Sequence, residues 1–221
     1  MVISEEKKMK LRFFGHAMWG ISTDKCNIII DPFTDIGYPM PTDLTANIVI
    51  SSHEHFDHNN FKLIIPPFKK INQIGKYQVE DVNVKLIEAS HGKLDGKNLG
   101  DTYICLINIE GVSILHCGDL GEIPNSNVLN EIKDVDILLV PIGGKYTIDA
   151  EQAKELVERI KPKLVFPMHY RVECSKVDII DTIDPFLVLY PNTKKIDSNI
   201  YEVDKDMLKK GELNIITLNY E

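Results

Sequence analysis

A strand that runs straight into a crowd of metal-binding side chains constrains this chain more than any other feature. The apolar, β-branched run Ala46-Asn47-Ile48-Val49-Ile50 reads as a buried strand, and Ser52-His53-Glu54-His55-Phe56-Asp57-His58 follows almost at once. Three histidines and one aspartate fall within six positions, in a chain with 7 His among 221 residues. Composition alone would produce such a cluster in roughly one chain in a thousand or fewer. Imidazole and carboxylate suit Zn²⁺ and related divalent ions. A helical zinc-protease motif is excluded, because His-Glu-x-x-His from His53 needs histidine where Asp57 stands. The run predicts a metal site in a loop at a strand end, and with it a metal-dependent hydrolase.

The same arrangement recurs along the chain. Lys10–Phe14, Ala17–Ser22 and Cys26–Ile30 read as an antiparallel meander that turns at Gly15-His16 and ends at Asp31. Val82–Ile87 leads to Ala89-Ser90-His91-Gly92. Thr102–Ile109 turns at Glu110-Gly111 into Val112–Leu115, which runs into His116-Cys117-Gly118-Asp119. Lys163–Phe166 ends at Pro167-Met168-His169-Tyr170-Arg171. Ligand-type groups thus stand at four separate strand ends, the pattern of one shared site on a scaffold of strands. His53, His55, Asp57, His58, His91, Asp119 and His169 make seven ligands, a set suited to two ions about 3.5–4 Å apart.

Between these points the patterning predicts a short helical piece at Phe61–Ile65, stopped by Pro66-Pro67, and a strand at Ile71–Ile74. Lys93–Asp101 reads as a loop long enough to cover a pocket. A helix at Val128–Lys133, a strand at Val135–Val140 and a glycine-rich loop at Pro141–Ile148 follow. Ala150–Ile160 is the clearest helix, with Ala153, Leu156, Val157 and Ile160 on one face. Val177–Leu189 reads as helix plus turn, and Ile200–Val203 and Leu213–Leu218 as closing strands. With no repeat and no biased linker, residues 1–221 are expected to form one domain.

Net charge −8 and pI near 5.4 argue against nucleic-acid binding. The lysine pairs, Lys7-Lys8 among them, are short and scattered. No stretch reaches 18 apolar residues, and the charged stretch 1–10 lacks a signal-peptide core. Cys26, Cys105, Cys117 and Cys174 form no CxxC pair. Reduced thiols and a cytoplasmic location are the expectation.

His53-x-His55-x-Asp57-His58, then His91, Asp119 and His169, resemble the metallo-β-lactamase superfamily. Gly15-His16-Ala17, His116-Cys117-Gly118-Asp119, Pro141-Ile142-Gly143-Gly144 and Pro167-Met168-His169-Tyr170 are similar to one branch of its metal-dependent hydrolases. That branch is related to L-ascorbate-6-phosphate lactonase and, more remotely, to the N-acyl-phosphatidylethanolamine phospholipase D group. The resemblance covers about residues 10 to 172. It implies an α+β fold, a four-layer αββα sandwich of two mixed β-sheets flanked by helices, with the metals between the sheet edges. It also implies that His53, His55 and His91 bind one ion, that Asp57, His58 and His169 bind a second, and that Asp119 bridges them.

The expected cofactors are two divalent ions, zinc in first place with manganese or iron as alternatives. Asp57 is expected to be catalytic, binding metal and orienting the nucleophile. Asp31 is either a loop cap or a carboxylate orienting a metal-bound imidazole. His16 and His116 are either buried, hydrogen-bonded imidazoles or groups that support the ligands or touch substrate. Lys145, Tyr146, Tyr170 and Arg171 are candidates for the substrate pocket, or packing residues. The expected reaction is attack by hydroxide, shared between two ions, on a small ester, lactone or phosphoester. Two divalent ions, two carboxylates and one hydroxide sum to roughly +1, which would attract a modest anion. A nuclease on the same site, or a non-catalytic metal-binding protein, are the alternatives, and self-association into a homo-oligomer is left open.

Overall fold

A computed structural model describes residues 9–95 and 97–220, so the Lys7-Lys8 pair and most of the charged amino-terminal stretch lie outside the described residues. Two mixed sheets face each other. The first has six strands, in the order Ile200–Glu202, Lys10–Gly15, Met18–Ser22, Asn27–Ile30, Ile48–Ile50, Lys69–Ile71. The second has eight, in the order Lys194–Ile196, Asn214–Leu218, Leu164–Met168, Ile137–Pro141, Val112–His116, Asp101–Ile109, Val82–Ser90, Gly75–Val79.

Period-2 alternation decides which side chains lie between the sheets. In the first sheet Leu11, Phe13, Trp19, Ile21, Ile28, Ile30, Ile48 and Ile50 join the large core that also holds the second sheet's residues. Phe13 and Trp19 are cross-strand partners with ring centroids 4.7 Å apart. The intervening Met18, Ile29 and Val49 face outward into a smaller cluster with Phe33, Ile36, Tyr38 and Ile64. Helix Ala150–Ile160 packs its Ala153, Leu156 and Val157 into the larger core, capped by reciprocal hydrogen bonds between Asp149 and Gln152. Phe186 and Leu208 of the helices Asp184–Leu189 and Lys205–Lys210 join the same core. Over the first sheet's outer face, the cover contributes loop residues Phe33 to Tyr38 and the 3-10 turn Phe61–Leu63. Among the described residues no helix is long and apolar enough to cross a membrane.

Strand direction gathers the site. Lys10–Gly15 and Asn27–Ile30 are each antiparallel to Met18–Ser22, and Ile48–Ile50 is parallel to Asn27–Ile30, so all three run the same way. In the second sheet Val82–Ser90 and Val112–His116 are both antiparallel to Asp101–Ile109, and Ile137–Pro141 and Leu164–Met168 continue parallel. Seven strands therefore deliver their carboxyl ends to one edge of each sheet, where open α/β folds place their ligands.

Several elements differ from the sequence expectation. Phe61–Ile65 is a 3-10 turn, Phe61–Leu63, followed by a two-residue strand pairing with Leu44–Thr45. The strand expected at Ile71–Ile74 ends at Ile71, and Gly75–Val79 begins a separate one in the other sheet. Only Asp184–Leu189 of the expected 177–189 segment is helical, with Pro185 in its first turn, where a missing N–H costs nothing. The stretch Lys93–Asp101 contains a small hairpin, Lys93–Leu94 with Lys97–Asn98.

Candidate metal centre

The strand ends turn sharply, and they do so with unusual backbone. His16, Asp31 and His169 adopt left-handed φ of 52°, 49° and 52°, a region that costs a side chain about 1 kcal/mol or more. Each is held there by its neighbours. The His169 N–H donates to the His16 carbonyl at 2.7 Å, tying the two sheets together at the site. The Asp31 N–H donates to the Ile50 carbonyl at 2.9 Å. Gly118, with φ 52°, passes so close to Ser52 and Thr102 that a Cβ would meet both at 2.7 Å. Backbone strain of this kind gathers at functional sites because the surrounding structure enforces it.

The seven sequence-predicted ligands come together. His53 Nε2 and His91 Nε2 lie 3.0 and 3.3 Å from His55 Nδ1, a three-imidazole group open to solvent on the His55 side. His58 Nε2 stands 3.2 Å from Asp119 Oδ1, and His169 Nε2 3.2 Å from Asp119 Oδ2. Asp119 Oδ2 also reaches to 3.6 Å of His91 and 3.9 Å of His53, so this carboxylate stands between both groups. Asp57 Oδ2 lies 3.8 Å from His58 Nε2 and 3.3 Å from His16 Nε2. His16 is thus inside the cluster: its nitrogens, with those of His58 and His169, form a second three-imidazole group within 4.8 Å.

Two observations test whether this cluster fits metal ions. His58 Nε2, Asp119 Oδ1, His169 Nδ1 and both His16 nitrogens are buried without a hydrogen bond, although His58 and Asp119 are close neighbours. Unpaired buried polar atoms cost about 1–3 kcal/mol each, and His58 Nε2 and Asp119 Oδ1 stand unpaired among the other donor groups of the cluster. The electrostatics divide the cluster, pairing His58 with the carboxylates as an imidazolium whose proton a metal ion would displace, and leaving His53 and His16 neutral. Burial disfavours charge on His58, but Asp119 and Asp31 outweigh it and hold its pKa well above the ordinary value. Burial likewise pushes the Asp119 carboxyl up, yet His169 and His58 bring it well below the carboxylate range. Burial, reinforced by neighbouring histidines, lowers His53 to about 3 and His16 to about 4, leaving neutral imidazoles of the kind that coordinate metals. The residues fit divalent ions.

A supporting layer fixes the imidazoles. Asp31, fully buried, accepts from the Ser52 N–H at 2.7 Å and the Ser52 hydroxyl at 2.7 Å, and lies 2.9 Å from His58 Nδ1. Ser52 Oγ is also 2.9 Å from His53 Nδ1, so one serine links Asp31 to both histidines. His91 Nδ1 faces the Tyr146 carbonyl at 2.9 Å. His116 Nε2 donates to the Ala17 carbonyl at 2.8 Å, and its Nδ1 accepts from the Gly118 N–H at 3.1 Å. Both of its nitrogens are engaged by main chain, so His116 braces the Gly118-Asp119 turn, and it is not among the cavity's lining residues.

A cavity of about 270 Å³ opens over the cluster. His55, Asp57, His91, Asp119 and His169 are among its lining residues, and Phe56, Leu99, Tyr146 and Val177 complete it. Tyr146, left open between pocket and packing, lines this cavity. Lys145 is exposed and outside the lining, and Tyr170 is buried in the core beside Phe13, its carbonyl accepting from the Tyr38 hydroxyl. The sequence reading did not single out Ser52 or Thr102, whose hydroxyl accepts from the Asp119 N–H at 3.3 Å. Ser52 had the signal of a small hydroxyl residue flanking a ligand, and Thr102 had none. Leu99 falls in the Lys93–Asp101 stretch expected to cover a pocket, and Val177 carried no signal.

Such a sandwich with a His/Asp cluster at its strand ends defines a metallo-hydrolase of the β-lactamase type. Residues 10–169 match the model of the beta-lactamase superfamily domain. A UPF0173 metal-dependent hydrolase of Carboxydothermus hydrogenoformans is 33% identical over 192 aligned residues, 73% of this chain and 84% of the relative. The same description belongs to a relative from Thermococcus onnurineus, 31% identical with the same coverage. Among solved structures, a candidate Zn-dependent hydrolase of the metallo-beta-lactamase superfamily from Thermotoga maritima superposes with TM-score 0.79 at 32% identity, over 96% of this chain and 100% of that one. The metallo hydrolase Igni18 of Ignicoccus hospitalis shares the fold, with TM-score 0.65 at 22% identity over 95% of this chain and 94% of its own. The chain belongs to the metallo-β-lactamase superfamily, among its metal-dependent hydrolases.

Proposed function

We propose that this hydrolase holds two divalent ions and cleaves a small ester, lactone or phosphoester. The position of Asp119 carries the reading. A single buried carboxylate within 4 Å of His53, His91, His58 and His169 is suited to join two ions. His53, His55 and His91 would hold one ion, and Asp57, His58 and His169 the other. The imidazole-rich donor set favours zinc and also accepts manganese or iron. When bound, the ions would supply Lewis acidity and a water acidic enough to ionise near neutral pH.

The remaining work belongs to the chain itself. Asp57 is a partly exposed carboxylate lining the cavity, placed to orient the attacking water by accepting its hydrogen bond. Asp31 and Ser52 fix the rings of His58 and His53, so that the donor atoms need no rearrangement when substrate arrives. The cavity walls exclude bulk water from part of the reacting centre. A cytoplasmic setting is part of the same reading, supported by four free cysteines, three of them buried.

Elemental analysis of the purified protein, then a panel of ester, lactone and phosphoester substrates, tests the proposal. Two ions per chain and turnover that Asp57→Ala and His169→Ala each abolish are expected, with circular dichroism of both variants unchanged. Near-full activity in metal-loaded Asp57→Ala would overturn the mechanism.

A further inference from the structure

The cavity over the metal cluster has a chemical character of its own. Its lining residues outside the proposed ligand set are Phe56, Leu99, Tyr146 and Val177, two aromatic and two aliphatic side chains. No lysine or arginine lines it among the described residues. Phe56 is 66% exposed, an uncommon state for a large aromatic with no partner to cover it. It is also held between His55 and Asp57 in the chain, so its position is set by two residues of the site. Lys176 pairs with Asp35 at 2.8 Å, the Arg171 Nε donates to the Ile180 carbonyl at 3.2 Å, and Lys145, next to Tyr146 in the chain, is exposed and outside the lining.

The charge balance points the same way. Asp31 lies directly behind His58 and adds a third carboxylate to Asp57 and Asp119. Two divalent ions, three carboxylates and one hydroxide sum to roughly zero instead of roughly +1. The chain as a whole carries −8, which repels anions at long range. A phosphorylated or carboxylated substrate would find neither an attractive field nor a cationic clamp of the kind such groups normally require.

Resting on the hydrolase reading above, we infer that the substrate is a neutral carboxylic ester or lactone whose acyl or alcohol part carries a compact apolar group, seated against Phe56, Leu99, Tyr146 and Val177. A cavity of about 270 Å³ lies at or below the small end of ligand sites, which limits that group to a short chain or single ring. In the reaction, water oxygen forms the new bond to the acyl carbon and the acyl C–O bond breaks. One water proton goes to the leaving alkoxide, giving acid and alcohol, or the hydroxy acid from a lactone.

The test uses matched pairs: an aryl ester with a short apolar acyl chain, and the same ester bearing a terminal carboxylate or phosphate. The metal-loaded full-length chain should prefer the neutral member by about tenfold or more in kcat/KM, the discrimination expected of an apolar pocket. Val177→Lys and Leu99→Lys should shift that ratio toward the anionic member, with metal content by elemental analysis unchanged. Faster turnover of the anionic ester by the unaltered protein overturns the substrate class and leaves the hydrolase reading standing. Binding of the non-hydrolysable ether analogues reads the preference without turnover, and the neutral ether should bind about tenfold tighter. If neither ester turns over but the neutral ether binds preferentially, the carboxylic-ester reaction fails and the apolar site stands. If the charged ether binds equally well or better, the apolar site fails.

Discussion

Asp31 and His58 meet at 2.9 Å, Oδ2 to Nδ1, across a junction in which both side chains are completely buried. Asp31 turns out of its strand with left-handed φ and is fixed from the other side by the Ser52 N–H and hydroxyl. The pair therefore sets the direction of His58 Nε2, the atom that faces Asp119 at 3.2 Å.

Replacing Asp31 should act on the metal more than on the cavity. Asp31→Asn keeps the shape but loses the charge and one acceptor, and should weaken binding of the His58-side ion by about 10- to 100-fold. Asp31→Ala also strands the Ser52 donors in a buried site, at a further cost of about 1–3 kcal/mol in stability. Competition with a chromophoric chelator, paired with thermal melts, separates the two effects. Equal metal affinity in Asp31→Asn and the unaltered protein would show that His58 needs no such support.

His16 offers a second test, since its ring lies 4.0 Å from that of His169 and its Nε2 3.3 Å from Asp57 Oδ2. Asparagine tolerates the left-handed φ of 52° at this position, so His16→Asn removes the ring with little backbone penalty. Metal content should fall from about two ions per chain to about one, because the His53-His55-His91 group is untouched. Two ions per chain in the variant would exclude any role for His16 in holding the Asp57 side of the site.

Much of the site was legible because its residues are chemically conspicuous. Histidines and aspartates at the ends of apolar runs announce themselves, and strand direction then carries them to one edge. The environment of each was not legible. Tyr170 follows His169, but the left-handed φ of 52° at His169 turns the chain, and the Tyr170 ring packs in the core beside Phe13. For His116 the sequence left open a buried imidazole, a supporting group or a substrate contact, and only tertiary packing shows its two nitrogens taken by Ala17 and Gly118. The Lys93–Asp101 stretch was legible as a pocket cover, but that Leu99 within it and Val177 face the cluster is shown only by the fold, since apolar loop residues carry no chemical signature. The edge strand Lys194–Ile196 was missed because two lysines and one isoleucine show no alternation.

Removing metal should lower stability measurably. Ions that bind only the folded chain stabilise it by about 2.7 kcal/mol at a free concentration 100-fold above Kd. For a chain of 221 residues that corresponds to a shift in Tm of about 5–10 °C. Calorimetry with and without a chelator, followed by re-addition of zinc, checks it. A chelator-insensitive Tm would mean that the buried, unpaired His58 Nε2 and Asp119 Oδ1 are satisfied without metal.

The close approach at Gly118 makes the sharpest link between fold and site. A Cβ there would lie 2.7 Å from Ser52 Cβ, 2.7 Å from the Thr102 hydroxyl and 2.9 Å from the Tyr103 carbonyl, at a φ of +52°. Ser52 adjoins His53 and contacts Asp31, and Thr102 holds the Asp119 N–H, so none of these can yield without moving a ligand. Overpacking costs about 1–3 kcal/mol, and the left-handed conformation adds about 1 kcal/mol for alanine. Gly118→Ala should therefore lose about 2–4 kcal/mol in denaturant unfolding and bind metal more weakly. Gly111→Ala is the control, because its φ is +75° but nothing lies within 4 Å of the added Cβ. It should lose only about 1 kcal/mol and keep its metal. Equal losses in the two variants would mean that the Ser52 and Asp119 turns can separate without consequence for the site.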